Sequence, residues 1–373
     1  MYLLALITMV VQAAHMGSRV IATLLALDLG ASKLAIGALI ASYSVIPLLL
    51  ALHSGRVADR YGTRAPMLWG SAAIGVGLLT PFLFPHSLAA LFVMANLIGL
   101  GFVFFNVAAQ TLAGRYGPRE ERARNFATLS LGYSASNLVG PVAAGYAIQW
   151  YGHAGASMLM ALAMLFPLAA LLLARRLAHP GTEAGRAGGG SSLDLLANAP
   201  LRKVIVASAL IVTGWDLFTF YVPIYGHGIG LSPPEIGIIL GAFAIGGLVM
   251  RALLPLLTKR FRIRPVLVAA MVCGAALYVA FPFVADYHAL IALSFLIGCA
   301  LGCGQPLTLT LAFNRSPPGR GGEVTGLRLA INNVTHVVVP LSAGALGAAL
   351  GMAPVFVLAA SFLLIGGLMG RRD

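Results

Sequence analysis

Apolar stretches about 20 residues long follow one another from Tyr2 to the C-terminal end, parted only by short segments rich in charge, proline or glycine. Each is long enough to cross a bilayer as an α-helix. Of the 373 residues, 59% are hydrophobic and 9% are charged, whereas a soluble domain carries about a quarter charged residues. Lipid offers no hydrogen bonds, so spanning segments are helices or strands of a closed barrel. The length of the runs and their lack of strict alternation select helices. The spacing predicts twelve spans: 2–27, 34–53, 66–84, 88–113, 124–149, 154–175, 202–226, 234–257, 265–284, 287–313, 322–348 and 352–370. The expected fold class is an all-α polytopic membrane protein. The apolar run at the N-terminus is long for a signal-peptide core and no good cleavage site follows it, so it reads as the first span.

Lysine and arginine set the orientation. The net charge is +13, but the basic residues recur between apolar segments and form no continuous face for a phosphate backbone, which argues against nucleic acid. Arg56, Arg60 and Arg64 follow span 2, and Arg115, Arg119, Arg122 and Arg124 lie between spans 4 and 5. Arg175, Arg176, Arg186, Arg202 and Lys203 join spans 6 and 7, and Lys259, Arg260, Arg262 and Arg264 join spans 8 and 9. Arg315 and Arg320 precede span 11 and Arg371 and Arg372 follow span 12, while the opposite connections hold Lys33. The positive-inside rule places both termini in the cytoplasm.

The one soluble-looking segment, "HPGTEAGRAGGGSS" (179–192), reads as a flexible linker. "SLDLLANAPLRKV" after it reads as a short surface helix capped by Ser191 or Ser192. The expected organisation is a six-helix bundle over 1–178, a linker with a surface helix over 179–199 and a second six-helix bundle over 200–373. The halves repeat each other. At an offset of 200, Gly30, Ser32, Ile36 and Gly37 meet Gly230, Ser232, Ile236 and Gly237. At 199, "LIG" (97–99) meets "LIG" (296–298), Asn106 meets Gln305, Asn137 meets His336, Pro141 meets Pro340 and Gly145 meets Gly344. A duplicated unit with an axis along the membrane normal implies a solute site near the midplane, between the halves.

Two motifs add to this pattern. "SGRVADRYGTRAPML" (54–68) concentrates charge and glycine between spans 2 and 3. With the duplicated six-span halves it resembles the major facilitator superfamily of secondary transporters, whose loop 2–3 signature G-x-x-x-D-R-x-G-R-R is matched by Gly55, Asp59, Arg60, Gly62 and Arg64. Thr63 stands where a basic residue is common, and the second-half copy "TKRFRIRP" (258–265) lacks the acid. The resemblance covers essentially the whole chain and implies two pseudo-symmetric six-helix bundles. It also implies that these five residues form a latch that breaks and reforms during transport. Physically, Gly55 admits a close neighbour, Gly62 a tight turn, and Asp59 can face a helix N-terminus; an ordinary positive-inside turn is the plainer reading. Span 5 carries "SNLVGPVAAG" (136–145), similar to the signature of the family's drug/proton antiporters through Gly140, Pro141, Ala144 and Gly145. Small residues there permit close packing of spans 5 and 8, and Pro141 bends the helix, as Pro340 does in span 11. One departure is Asn96, near where that branch carries a span-4 arginine.

Charge inside a membrane marks a candidate functional site. Arg19 in span 1, Asp216 in span 7 and Arg251 in span 8 qualify. Spans 1 and 7 are pseudo-equivalent, so Arg19 and Asp216 are expected at similar depth, as a functional pair or a static one. Asp216 is the acid well inside a span and the best proton-carrier candidate. His15, one turn from Arg19, is a titratable candidate or a plain hydrogen-bonded histidine, and His336, which the repeat pairs with Asn137, is a candidate for cavity exposure. Asn106, Gln110 and Gln305 are candidates for the solute path or for plain interhelical hydrogen bonds; Asn137 is a candidate for cavity exposure, and Tyr221 for the solute path or a membrane interface. Cys273, Cys299 and Cys303 read as packing residues, since no histidine or acid joins them in a metal pattern. No metal or cofactor is expected, and no nucleophile–base pair or phosphate loop suggests an enzyme.

The expected function is a secondary active transporter moving a small organic solute by alternating access, as proton-coupled efflux. An importer or a lipid or lysolipid flippase on the same fold is the alternative; a membrane sensor fits less well. The expected partners are a small-molecule substrate, protons and the bilayer, with a monomer in the bacterial inner membrane.

Overall fold

The computed structural model describes residues 1–115, 122–174, 192–315, 321–351 and 353–371. The described residues fold into helices α1 (Tyr2–Asp28), α2 (Lys33–Tyr61), α3 (Arg64–Leu83), α4 (Leu88–Arg115), α5 (Arg122–Ala163) and α6 (Leu165–Leu173). The second part holds α7 (Ala199–Gly228), α8 (Pro233–Arg260), α9 (Ile263–Ala280), α10 (Tyr287–Gly302), α11 (Gly304–Asn314), α12 (Gly321–Leu350) and α13 (Ala353–Arg371). The predicted spans map onto these, with two departures. The break predicted between spans 5 and 6 falls at Gly152, where one helix ends and the next begins at a φ of 68° that only glycine adopts without strain. The sixth span breaks again between Ala163 and Leu165, and the tenth breaks at Cys303 into α10 and α11. Nine helical stretches among the described residues are long and apolar enough to cross a membrane, one of them the merged 43-residue run Leu131–Leu173. Large apolar side chains point outward on many of them, as at Leu49, Trp150 and Leu173, which suits a lipid solvent.

The segment after the linker departs from the sequence reading. It forms a 3₁₀ helix, Ser192–Ala197, and it is not simply a surface element. Leu195 is 3% exposed and packs with Leu201, Val204, Ile205, Ala312, Val324 and Leu327. Two apolar leucines at i and i+1 have no single face on a short helix, and here one of them is used to seal the ends of α7, α11 and α12. The remainder of the linker, 179–191, lies outside the described residues.

Two compact units are present: Met1–Ala187 with Gly226–Gly241, and Gly188–Tyr225 with Ala242–Asp373. In unit 1, α1 packs along α5, and α4 packs against α2 and α3. The backbones approach closely wherever glycine stands at the crossing. A Cβ at Gly140 would lie 2.6 Å from the Ala13 carbonyl oxygen, and one at Gly132 would lie 2.6 Å from that of Ala5. In unit 2, α9 packs on α13, and Phe218, Phe243, Tyr278, Phe281 and Phe356 form an aromatic core.

The internal repeat has a physical meaning at each matched position. Gly30 and Gly230 both have positive φ, 73° and 84°, and turn the chain before α2 and α8. Ser32 then caps α2 by accepting from the Ala35 amide at 3.2 Å. At the equivalent place the Ser232 amide donates to Glu235 Oε2 at 2.7 Å, the reciprocal arm of a capping box. Gly99 lies directly under the Tyr43 carbonyl in unit 1, and Gly298 directly under the Phe243 carbonyl in unit 2. The two "LIG" triplets are therefore the same helix crossing made twice.

Candidate functional site

The site in unit 2 is a polar ladder between α7 and α12. The two helices run in step. Ser208 meets Arg328 and Asn332, Asp216 meets His336, and the Tyr221 hydroxyl donates to the Ala343 carbonyl. Arg328, Asn332 and His336 are spaced by four residues, so they form one stripe on α12. Apolar residues on the other faces of both helices leave this seam as the place where polar groups meet.

Asp216 is 2% exposed, and its Oδ2 is hydrogen-bonded to His336 Nδ1. The His336 side chain is 37% exposed, against 3% for that of Asp216. The pair thus has a buried end and an open end. A protonated imidazole makes it an ion pair; a neutral one leaves a buried carboxylate that accepts one N–H. Thr219 Oγ1 turns back to donate to the carbonyls of Trp215 and Asp216 at 3.1 and 3.2 Å. From α9, the Tyr278 hydroxyl donates to the Gly214 carbonyl at 2.5 Å. These contacts hold the Asp216 segment of α7.

Arg251 is half-buried in α8. Its Nε donates to the Gly302 carbonyl at 3.2 Å, and its guanidinium stands 5.8 Å from the centroid of the Trp215 ring. These contacts tie α8 to the end of α10 and to α7. Gln305, on α11, accepts from Arg328 Nη1 at 3.1 Å. Tyr221 is 1% exposed, with its hydroxyl spent on α12. It stands in the packing of unit 2, and an aromatic ring in mid-span gives no sequence signal for which way it faces.

Unit 1 gathers its own candidates in two places. Asn106 Oδ1 accepts from Gln110 Nε2 at 3.0 Å and from the Tyr133 hydroxyl, which links α4 to α5. Asn137, one turn further along α5, is half-buried. His15 is 8% exposed and stands edge-on to Phe102, with ring centroids 4.3 Å apart. The Tyr43 hydroxyl donates to Ser18 Oγ at 3.2 Å beside it. Arg19, next along α1, is half-buried. Arg19 lies in unit 1 and Asp216 in unit 2; the partner the structure gives to Asp216 is His336.

Of the motif in 54–68, the side chains of Gly55, Asp59 and Arg60 lie outside the described residues. Gly62 has φ 77° and stops α2. Arg64 donates from Nε to the Leu171 carbonyl at 2.7 Å and from Nη2 to the Leu172 carbonyl at 2.6 Å. A cation on the last carbonyls of a helix is a favourable cap, so Arg64 serves the end of α6. Within unit 1, a Cβ at Gly145 would lie 2.5 Å from the Pro233 carbonyl oxygen, and one at Gly237 would lie 2.8 Å from that of Pro141. Within the span-5 motif, Gly145 is thus used in close packing against the start of α8, and Gly140 against α1. Pro141 and Pro340 are both inside their helices and buried.

Sequence reasoning missed Arg328 and Ser208. Arg328 is inside the predicted span 322–348 and carries the same signal as Arg251, a charge in an apolar run, but its nearness to the basic 315–320 segment hides it. Ser208 has no such signal, since a lone serine in a span is common.

The sequence profile of the Major Facilitator Superfamily matches residues 4–334 and 204–372. The multidrug resistance protein MdtG of Dickeya zeae is 25% identical over 336 residues, covering 87% of this chain and 81% of that protein. The vesicular acetylcholine transporter of Rattus norvegicus is 29% identical over 194 residues, 51% of this chain and 34% of that protein. Among solved structures, the peptide transporter POT superposes with a TM-score of 0.81 at 16% identity, covering 99% of this chain and 93% of its own. The nucleoside transporter NupG superposes with a TM-score of 0.80 at 13% identity, covering 99% and 98%. At such identities these two likenesses speak for the fold alone.

Proposed function

This chain belongs to the Major Facilitator Superfamily as a secondary active transporter, and we propose that it exports a small organic solute in exchange for protons, with the Asp216–His336 pair holding the exchanged proton. The observation that carries the reading is the pair itself: a carboxylate 2% exposed, joined to an imidazole 37% exposed. A charge in a poorly hydrated interior is costly unless neutralised or paired. When the open end meets water, the pair exchanges a proton through His336; when it is closed off, the protonation state is trapped. A conformational cycle that opens the pair alternately to the two sides carries one proton per turn. Among the described residues, Tyr278 from α9 and Thr219 from α7 itself are bonded to the main chain of the Asp216 segment.

Export, rather than the import or lipid-flipping alternative, is supported by the multidrug resistance relatives and by the span-5 Gly-Pro motif. In this reading the chain is a monomer in a bacterial inner membrane, as its bacterial multidrug resistance relatives suggest for the membrane, and the lysine and arginine asymmetry supports cytoplasmic termini.

The test uses the purified full chain in liposomes with a pH dye trapped inside and a panel of drugs and metabolites added outside. At least one solute is expected to move protons only when the protein is present. Solute entry with no dye response at any pH contradicts proton exchange and leaves a uniporter or another coupling ion.

A further inference from the structure

The exchange reading leaves the other charge of the ladder unused. Arg328 lies eight residues before His336 on the same stripe of α12 and is 5% exposed. Its Nη1 donates to Ser208 Oγ at 3.1 Å and to Gln305 Oε1 at 3.1 Å. Both acceptors are neutral. Its Nε is buried and has no hydrogen-bond partner. Asp216, the buried acid of unit 2, is taken by His336. Among the described residues, no carboxylate neutralises this guanidinium.

A buried cation without a counter-charge is unfavourable, and removing its water leaves its donors unsatisfied. Burial among neutral groups is therefore an incomplete arrangement, and its geometry indicates what completes it. Gln305 and Ser208 hold the Nη1 side and fix the guanidinium plane. The Nε side of the planar fork is left over, and paired N–H groups on that side match the two oxygens of a carboxylate. Asn332 Nδ2, 3.4 Å from Ser208 Oγ, adds an amide to the same cluster. The cluster is reachable, because Gln305 and His336 at its border are both half-buried. The one positive charge left uncompensated among the described residues calls for one negative charge; a dianion would leave a net charge buried in its turn.

We propose that Arg328, Gln305, Ser208 and Asn332 form a binding subsite for a monoanion, either the carboxylate of an organic solute or an inorganic anion such as chloride. The ligand accepts hydrogen bonds from the Arg328 fork and neutralises the charge. The subsite does not depend on proton exchange.

Equilibrium dialysis of the full chain in detergent tests this with radiolabelled benzoate and, separately, radiolabelled chloride. The neutral isostere benzamide serves as a competitor. Saturable binding of at least one anion, resistant to benzamide, is expected. Benzoate that chloride displaces marks a general monoanion site, benzoate that chloride leaves in place marks a carboxylate site, and chloride binding alone marks an inorganic one; all three support the subsite. Arg328→Gln is expected to weaken binding about 10- to 100-fold, the loss of one or two charge-assisted hydrogen bonds. Gln305→Glu places a carboxylate against the guanidinium within the fold and is expected to weaken anion binding to a similar extent while the protein stays folded. That variant decides the matter if Arg328→Gln fails to fold. Absence of saturable binding of either anion to the wild type, or affinity unchanged in a folded variant, overturns the subsite.

Discussion

Asp216→Asn is expected to abolish solute-driven proton movement while leaving downhill solute exchange in place. The amide is nearly isosteric with the carboxylate and keeps a hydrogen bond to His336, so the α7–α12 seam survives. What it loses is the ability to release a proton and to hold an imidazolium as an ion pair. Proton flux in dye-loaded liposomes is expected to fall by at least about 100-fold, the scale of losing a positioned proton-transfer group. Exchange of labelled for unlabelled solute across the same liposomes, with no gradient imposed, is expected to stay within a few-fold of wild type. The split between the two readouts is what identifies a proton carrier. A purely structural Asp216–His336 pair would lose both activities together, along with thermal stability.

The second large effect lies in the packing. Gly298→Val is expected to destabilise the chain by about 3 kcal/mol or more, the upper range for overpacking, because the new side chain meets main chain. The Phe243 carbonyl stands directly over Gly298, and the Gly247 amide is 3.1 Å from where its Cβ would be. Neither belongs to a flexible side chain, so α8 and α10 must separate. Gly99→Val in unit 1 is expected to act in the same way against the Tyr43 carbonyl. Gly228→Ala is the contrast, because a Cβ there meets nothing within 4 Å. Fluorescence-detected size-exclusion chromatography across a temperature series would separate these variants. A Gly298→Val protein that melts with wild type and Gly228→Ala would refute the close crossing.

These two effects mark what was legible in the sequence. The crossing was visible as a repeat, since "LIG" recurs at an offset of 199. It recurs because a helix crossing at backbone distance tolerates no Cβ, and that constraint writes itself into residue type. The same holds for Gly30 and Gly230, where positive φ requires glycine. Apolar length and basic asymmetry were equally direct, because they express the solvent around the helices rather than their partners. The partners themselves were not legible. Asp216 stood out as an acid in a span, but pseudo-equivalence suggested Arg19, whereas its hydrogen bond is to His336, 120 residues along. Which residue faces which across two helices depends on rotation about each axis, and a uniformly apolar helix carries little periodic signal for that rotation. Tyr221 shows the same gap from the other side, for its ring packs beside Phe220 and Phe356 and its hydroxyl is bonded to α12. Arg64 shows a third case. The motif resemblance implies a latch role for it, and the contact the structure gives it is a cap on the carbonyls of α6, 107 and 108 residues away, a partner that no local pattern announces.

The most direct measurement of proton exchange imposes a pH gradient on liposomes holding the wild-type protein and follows a labelled solute identified in the dye screen. The solute is expected to accumulate above its outside concentration when the lumen is acidic, moving opposite to the protons, and a proton ionophore is expected to collapse the accumulation. A solute that reaches the same level on both sides whatever the gradient, and is indifferent to the ionophore, would contradict proton exchange.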